Sequence, residues 1–113
     1  MKTTLQMKKL NTTQDLDRVM KLSHEKLQLI FKHSTVCPIS RMSYEKMMAE
    51  YPLTEEQADL YYIGVIEQRP LSNYVAEILY VQHESPQLLA VRDGVAVFHE
   101  SHLMINPKIL NSI

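Results

Sequence analysis

Apolar residues recur along this chain in short groups whose spacing alternates between helical and strand-like. Leu16, Val19 and Met20 fall on one helical face after Thr12 and Thr13, and Thr12-x-x-Asp15 has the form of a capping pair. A first helix is therefore expected to start there and to end near His24. Residues 26–32 hold Leu27, Leu29, Ile30 and Phe31, an apolar run of strand length that can be buried on both faces. Residues 39–51 give a looser helical stripe of Met42, Met47, Met48 and Tyr51, which Pro52 ends. After a polar connection over 54–59, residues 60–66 read as a second buried strand, with Gly64 marking a close backbone approach. Pro70 suits the first position of a third helix carrying Leu71, Val75, Ile78 and Leu79. Residues 81–86 read as a loop, and residues 88–91 and 95–98 as two strands joined through Asp93-Gly94, a strong hairpin signal. A connection over 101–106 and a short last helix over 107–113 complete the pattern.

The order α-β-α-β-α-β-β-α predicts an α/β fold. Strand–helix–strand units imply parallel neighbours, and the final hairpin adds an antiparallel edge. A mixed four-stranded sheet with helices on both faces follows, and residues 1–113 read as a single domain with room for its own core.

Composition removes several classes of function. A formal net charge of -1 with both signs interspersed leaves no basic footprint, so nucleic acid is not an expected partner. No apolar run approaches the roughly 18 residues a membrane span needs, so no membrane association is expected. Residues 1–11 carry lysines with no apolar segment behind them, which argues against a secretory signal. The single cysteine cannot form an internal disulfide, which fits a reducing compartment and a cytoplasmic location.

That cysteine carries the candidate chemistry. Cys37 lies in Ser34-Thr35-Val36-Cys37-Pro38-Ile39-Ser40, between a strand-like and a helix-like run. A helix N-terminus leaves backbone N–H donors without intrahelical partners, and these favour a thiolate over a thiol. Pro38 suits the first helical turn because it has no N–H to orphan. Cys37 is thus expected at the cap position with its sulfur facing those donors. Ser40 occupies the place of a second cysteine in Cys-x-x-Cys; its hydroxyl can donate to the Cys37 sulfur but cannot form a disulfide. A mixed disulfide on Cys37 must then be resolved by an external thiol. Ser85-Pro86, just before a strand, is compatible with a cis peptide or an ordinary trans turn.

Phe31-Lys32-His33-Ser34-Thr35-Val36-Cys37-Pro38-Ile39-Ser40, Arg69-Pro70-Leu71-Ser72-Asn73 and His83-Glu84-Ser85-Pro86-Gln87 together resemble the YtxJ-like monothiol bacilliredoxins. Asp93-Gly94 and His99-Glu100-Ser101-His102 continue the match in order, with Leu103 where family members often carry an aromatic residue. The resemblance implies a thioredoxin-like fold and removal of bacillithiol from S-bacillithiolated proteins. Bacillithiol would then be a co-substrate and bacillithiolated proteins the partners, with no bound cofactor. In such sheets a proline like Pro86 lies beside the cysteine and lets the preceding backbone pair with an incoming chain. Cys37 and Ser40 are therefore the expected catalytic residues, and Thr35, Pro38, Ser85, Pro86 and the Gln87 side chain the expected substrate-binding ones.

Two alternatives compete. A monothiol glutaredoxin carrying an iron–sulfur cluster typically reads Cys-Gly-Phe-Ser, where this chain has Cys37-Pro38-Ile39-Ser40 and lacks the later glycine pair. A redox-silent thioredoxin-like interaction module would keep Cys37 as a small core hydrophobe. His33 is read as a solvent-exposed strand-end residue. His99, Glu100 and His102 span a strand end rather than one helical face, so no metal site is expected.

Overall fold

A computed structural model of the chain describes residues 6–113, so the reading of the first five residues lies outside it. Five strands form one sheet in the order β1-β3-β2-β4-β5. They are β1 (Lys8–Lys9), β2 (Leu27–His33), β3 (Ala58–Gly64), β4 (Gln87–Arg92) and β5 (Val95–Ser101). Three α-helices connect them: α1 (Thr13–Leu22), α2 (Pro38–Glu50) and α3 (Arg69–Leu79). Short 3-10 turns occupy His102–Met104 and Pro107–Ser112, the latter where an α-helix was expected.

The fifth strand corrects the expectation of four. β1 is two lysines pairing parallel with Tyr61 and Tyr62 of β3, both exposed and with no apolar alternation to announce them. Its register comes from the neighbour rather than from its own residues. A two-residue lysine edge also discourages further strands from adding there.

Elsewhere local signals locate the elements. Thr12 caps α1: its hydroxyl accepts the Asp15 N–H at 3.0 Å while the Asp15 carboxylate accepts the Thr12 N–H at 3.2 Å. The hairpin turn places Asp93 and Gly94 at φ 54° and 78°, the left-handed region that an Asp-Gly pair tolerates. At Gly64 the nearest atoms a Cβ would meet belong to the carboxylate end of Glu67, a flexible group, so the closest approach is not to backbone.

β2 pairs parallel with β3 and antiparallel with β4, so it is the middle strand and is buried on both faces. Ile30, Tyr61, Ile63, Leu89 and Val91 face α1 and α3, together with Leu16, Val19, Leu71 and Val75. Leu29, Phe31, Leu88 and Ala90 face α2 and the C-terminal turn, packing with Met47 and Leu110. The adjacent tyrosines Tyr61 and Tyr62 divide between the two faces, as strand alternation requires.

α2 departs most from its expected pattern. Met42 is 59% exposed, and the buried stripe is Ser40, Ser43 and Met47. Serines can line a buried helix face only if their hydroxyls find partners. Both do here, and those partners build the site.

Candidate active site

Cys37 is the N-cap of α2, in extended backbone (φ -97°, ψ 121°), with Pro38 opening the helix. Its carbonyl accepts the first intrahelical bond, from the Arg41 N–H at 3.0 Å, and its own N–H closes a turn onto the Ser34 carbonyl. The residue is half-buried, between exposed Val36 (74%) and Ile39 (39%). One expectation fails here: the sulfur makes no capping hydrogen bond to the helix amides. Sulfur is a weak acceptor, and a serine, threonine or aspartate oxygen fills that role better.

Ser40 is also differently employed. It is fully buried; its hydroxyl accepts the Ser34 N–H at 2.8 Å and lies 2.9 Å from His33 Nδ1. The Cys37 sulfur is not among its partners, because one helical turn inward the side chain points at the sheet. His33, expected to be exposed, is instead half-buried and stacked between Phe31 and Tyr44, with ring centroids 5.6 and 5.0 Å away. Burial pushes the His33 imidazole below its usual range, against the raising influence of Glu67 and Ser40, so the ring is neutral at pH 7. Ser40 thus locks the loop that carries Thr35, Val36 and Cys37 onto the end of β2. Ser40→Ala would orphan the buried Ser34 N–H, and a loss of about 2 kcal/mol is expected, read as a lower urea midpoint. An unchanged midpoint would show that the loop does not depend on this hydroxyl.

The second half of the site is the start of β4. Lys32 at the end of β2 pairs with Gln87, so Pro86 lies at the same end of the sheet as the Cys37 loop. The Ser85–Pro86 peptide is cis, Pro86 is buried and Ser85 half-buried. The Pro86 carbonyl accepts the His102 N–H at 2.9 Å, and the His102 carbonyl accepts the Ser43 hydroxyl of α2 at 3.2 Å. His102 and Ser43, which the sequence pattern did not single out for this, join α2 to the β4 entry. Thr35 and Pro38 are exposed around Cys37.

Gln87 is placed otherwise than expected. Its side chain shares the sheet face of Lys32, opposite α2, and is 1% exposed. Its amide donates to the Gln82 carbonyl at 3.0 Å. Side chains alternate along a strand, so the residue directly after Pro86 turns inward and braces the loop instead of meeting a substrate. Among the described residues, no group of three or more His, Cys, Asp or Glu is arranged to hold a metal ion.

The family match decides what this arrangement belongs to: the family described as monothiol bacilliredoxin BrxC covers residues 8–110. The chain belongs to that family. Solved structures agree on the fold. One described as "a putative oxidoreductase with a thioredoxin fold" is 33% identical, with TM-score 0.79 over 94% of this chain and 91% of that one. The Malassezia sympodialis thioredoxin Mala s 13 is 13% identical, with TM-score 0.74 over 99% of this chain and 91% of its own. Fasciola hepatica thioredoxin is 20% identical, with TM-score 0.66 over 94% of each chain. The bacilliredoxin family and the thioredoxin-like fold together make this a thiol-redox protein, and its lone thiol stands at the start of α2.

Proposed function

We propose that this protein is a monothiol exchange enzyme that removes bacillithiol from S-bacillithiolated proteins. The Cys37 sulfur attacks the bacillithiol sulfur of the protein–bacillithiol disulfide, and the protein thiol leaves. A Cys37–bacillithiol disulfide remains. A second bacillithiol attacks its bacillithiol sulfur, releasing Cys37 and forming bacillithiol disulfide. Each step breaks one S–S bond and makes one, so no electron acceptor is required.

The observation that carries this reading is the pairing of an accessible helix-start thiol with Ser40 one turn further on. The position where an internal resolving thiol would sit holds a buried hydroxyl engaged by Ser34 and His33. With no second cysteine in the chain, the resolving thiol must come from outside. Thr35, Pro38, Ser85 and Pro86 are assigned to substrate approach, with the Ser85 backbone pairing to the client chain. The family match supports bacillithiol as that outside thiol, and the reaction is assigned to the cytoplasm as part of the same reading.

The test is incubation with a bacillithiolated client, followed by intact-mass measurement of both proteins. The adduct mass should leave the client, appear on Cys37, and disappear when free bacillithiol is added. A client that keeps its adduct while Cys37 stays unmodified would overturn the assignment.

A further inference from the structure

A groove of about 420 Å³ runs beside the first turns of α2, on the side of the sheet where β1 and β3 pair. His33, Thr35, Arg41, Tyr44, Met48 and Tyr62 line it, and Met7 closes its far side. Two of its lining residues, Thr35 and Arg41, flank Cys37 along the chain, although Cys37 itself does not line it. Thr35 precedes the cysteine by two residues, and Arg41 follows it by one helical turn, its N–H bonded to the Cys37 carbonyl at 3.0 Å. Cys37 and Arg41, four residues apart across the start of α2, thus sit on adjoining turns.

The groove lining itself carries charge of one sign, with the Glu67 carboxylate acting on His33 from outside it. Arg41 is its one permanently charged lining residue, and no carboxylate lines it. Among the described residues Arg41 makes no ion pair. His33 beside it is held neutral by burial. The walls otherwise combine methionine side chains with Thr35 and the two tyrosines, a surface for a ligand that is partly apolar and partly hydroxyl-bearing. The volume lies within the roughly 300–1,000 Å³ of small-molecule sites.

We propose that this groove seats the small-thiol half of the Cys37 mixed disulfide, with Arg41 pairing a carboxylate of that thiol. The proposal rests on the monothiol-exchange reading above and adds where the small thiol sits and which residue, Arg41, holds its carboxylate. The protein half of the disulfide leaves the sulfur toward Pro86 and β4, and the small half toward Arg41. In the loading step the Cys37 sulfur attacks the small thiol's sulfur, a new S–S bond forms, and the partner sulfur departs as its thiolate. The Arg41 guanidinium takes no part in that bond exchange; its planar fork orients the carboxylate through paired N–H donors.

The experiment measures how fast simple symmetrical disulfides load Cys37, followed by intact mass. The probes are the disulfides of mercaptosuccinate, 2-mercaptoethanol and cysteamine, which are anionic, neutral and cationic. Each rate is divided by that of the same probe with a free neutral cysteine amide, which removes intrinsic reactivity. The wild-type ratio of anionic to neutral loading should be roughly tenfold, as one charge-assisted pair at a partly open site provides. It should fall with added salt. Arg41→Gln should bring the ratio near one, Arg41→Lys should retain part of it, and Arg41→Glu should turn the preference toward cysteamine. A wild-type ratio near one, or a ratio indifferent to Arg41→Gln, overturns the groove assignment while leaving monothiol exchange standing. If Arg41 matters only for a peptide disulfide flanked by glutamates, the groove serves the client protein and the proposal fails. No loading by any probe sinks the exchange reading itself.

Discussion

Cys37→Ser is expected to abolish adduct transfer completely while leaving the protein at least as stable as the wild type. The chemical half is direct, since oxygen cannot form the mixed disulfide. The stability half follows from the position. Cys37 is a half-buried N-cap whose sulfur makes no capping hydrogen bond. Serine is among the preferred N-cap residues because its shorter hydroxyl accepts an N–H of the first turn, worth about 1 kcal/mol. The variant should therefore show no mass adduct above background and a urea midpoint equal to or higher than wild type. A structural cysteine packed into the core would behave in the opposite way. Loss of more than about 1 kcal/mol on Cys37→Ser, together with a wild-type thiol that takes up no adduct, would return Cys37 to a packing role.

Lys32→Met is expected to stabilise the protein at neutral pH and to lose that advantage as the pH rises. Lys32 is fully buried, with its ammonium bonded to the Ser72 carbonyl at 3.0 Å and to His83 Nδ1 at 3.1 Å. Neither partner is a carboxylate. Burial pushes its pKa down from 10.5 to about 8. Below pH 8 both folded and unfolded chains hold the proton, so the cost of burying the charge is present in full. Between about pH 8 and 10.5 the folded chain releases the proton first, so stability rises with pH. Methionine keeps most of the volume without the charge, and the two hydrogen bonds it forfeits offset part of the gain. A net gain of about 1 to 2 kcal/mol at pH 7 is expected, shrinking toward zero near pH 10. Urea titrations of both proteins across that range test it. The half-buried Tyr51 and the buried Tyr61, whose acidity desolvation weakens, titrate alike in both proteins and cancel in the difference. A pH-independent difference, or a variant less stable at pH 7, would show that the Lys32–Ser72–His83 contacts outweigh the burial cost.

Lys32 also shows where the sequence stops being legible. It lies in an apolar run and was read simply as the end of a strand, yet its side chain is enclosed by Ser72 and His83, 40 and 51 residues away. His33 departs from its expected exposure for a related reason. A strand-end histidine is usually solvated, but Tyr44 of α2 stacks on one side of this ring and Phe31 on the other. The place of Gln87 beside Pro86 suggests contact with substrate, but strand alternation turns its side chain to the other face. Of the methionine stripe expected on α2, Met47 reaches the core but Met42 does not, and Ser40 and Ser43 share the buried face because their hydroxyls find hydrogen-bond partners. For Lys32, His33, Ser40 and Ser43 the deciding partner lies outside the residue's own element.

What the sequence by itself determined was local and directional. The Thr12–Asp15 cap, prolines at helix starts, the Asp93-Gly94 turn and the apolar runs set the main helices and strands, and put Cys37 at the start of α2 with a serine one turn on. Those signals act over a few residues of backbone, where hydrogen bonds, φ preferences and side-chain spacing are legible without neighbours. Only the tertiary structure decided the lysine edge strand, the His33–Ser40–Ser34 lock, the Pro86–His102–Ser43 bridge, and the groove that brings Met7 and Tyr62 to Arg41. These depend on strand register and on which sheet face a helix covers, quantities set by burying the whole core at once rather than by any single segment.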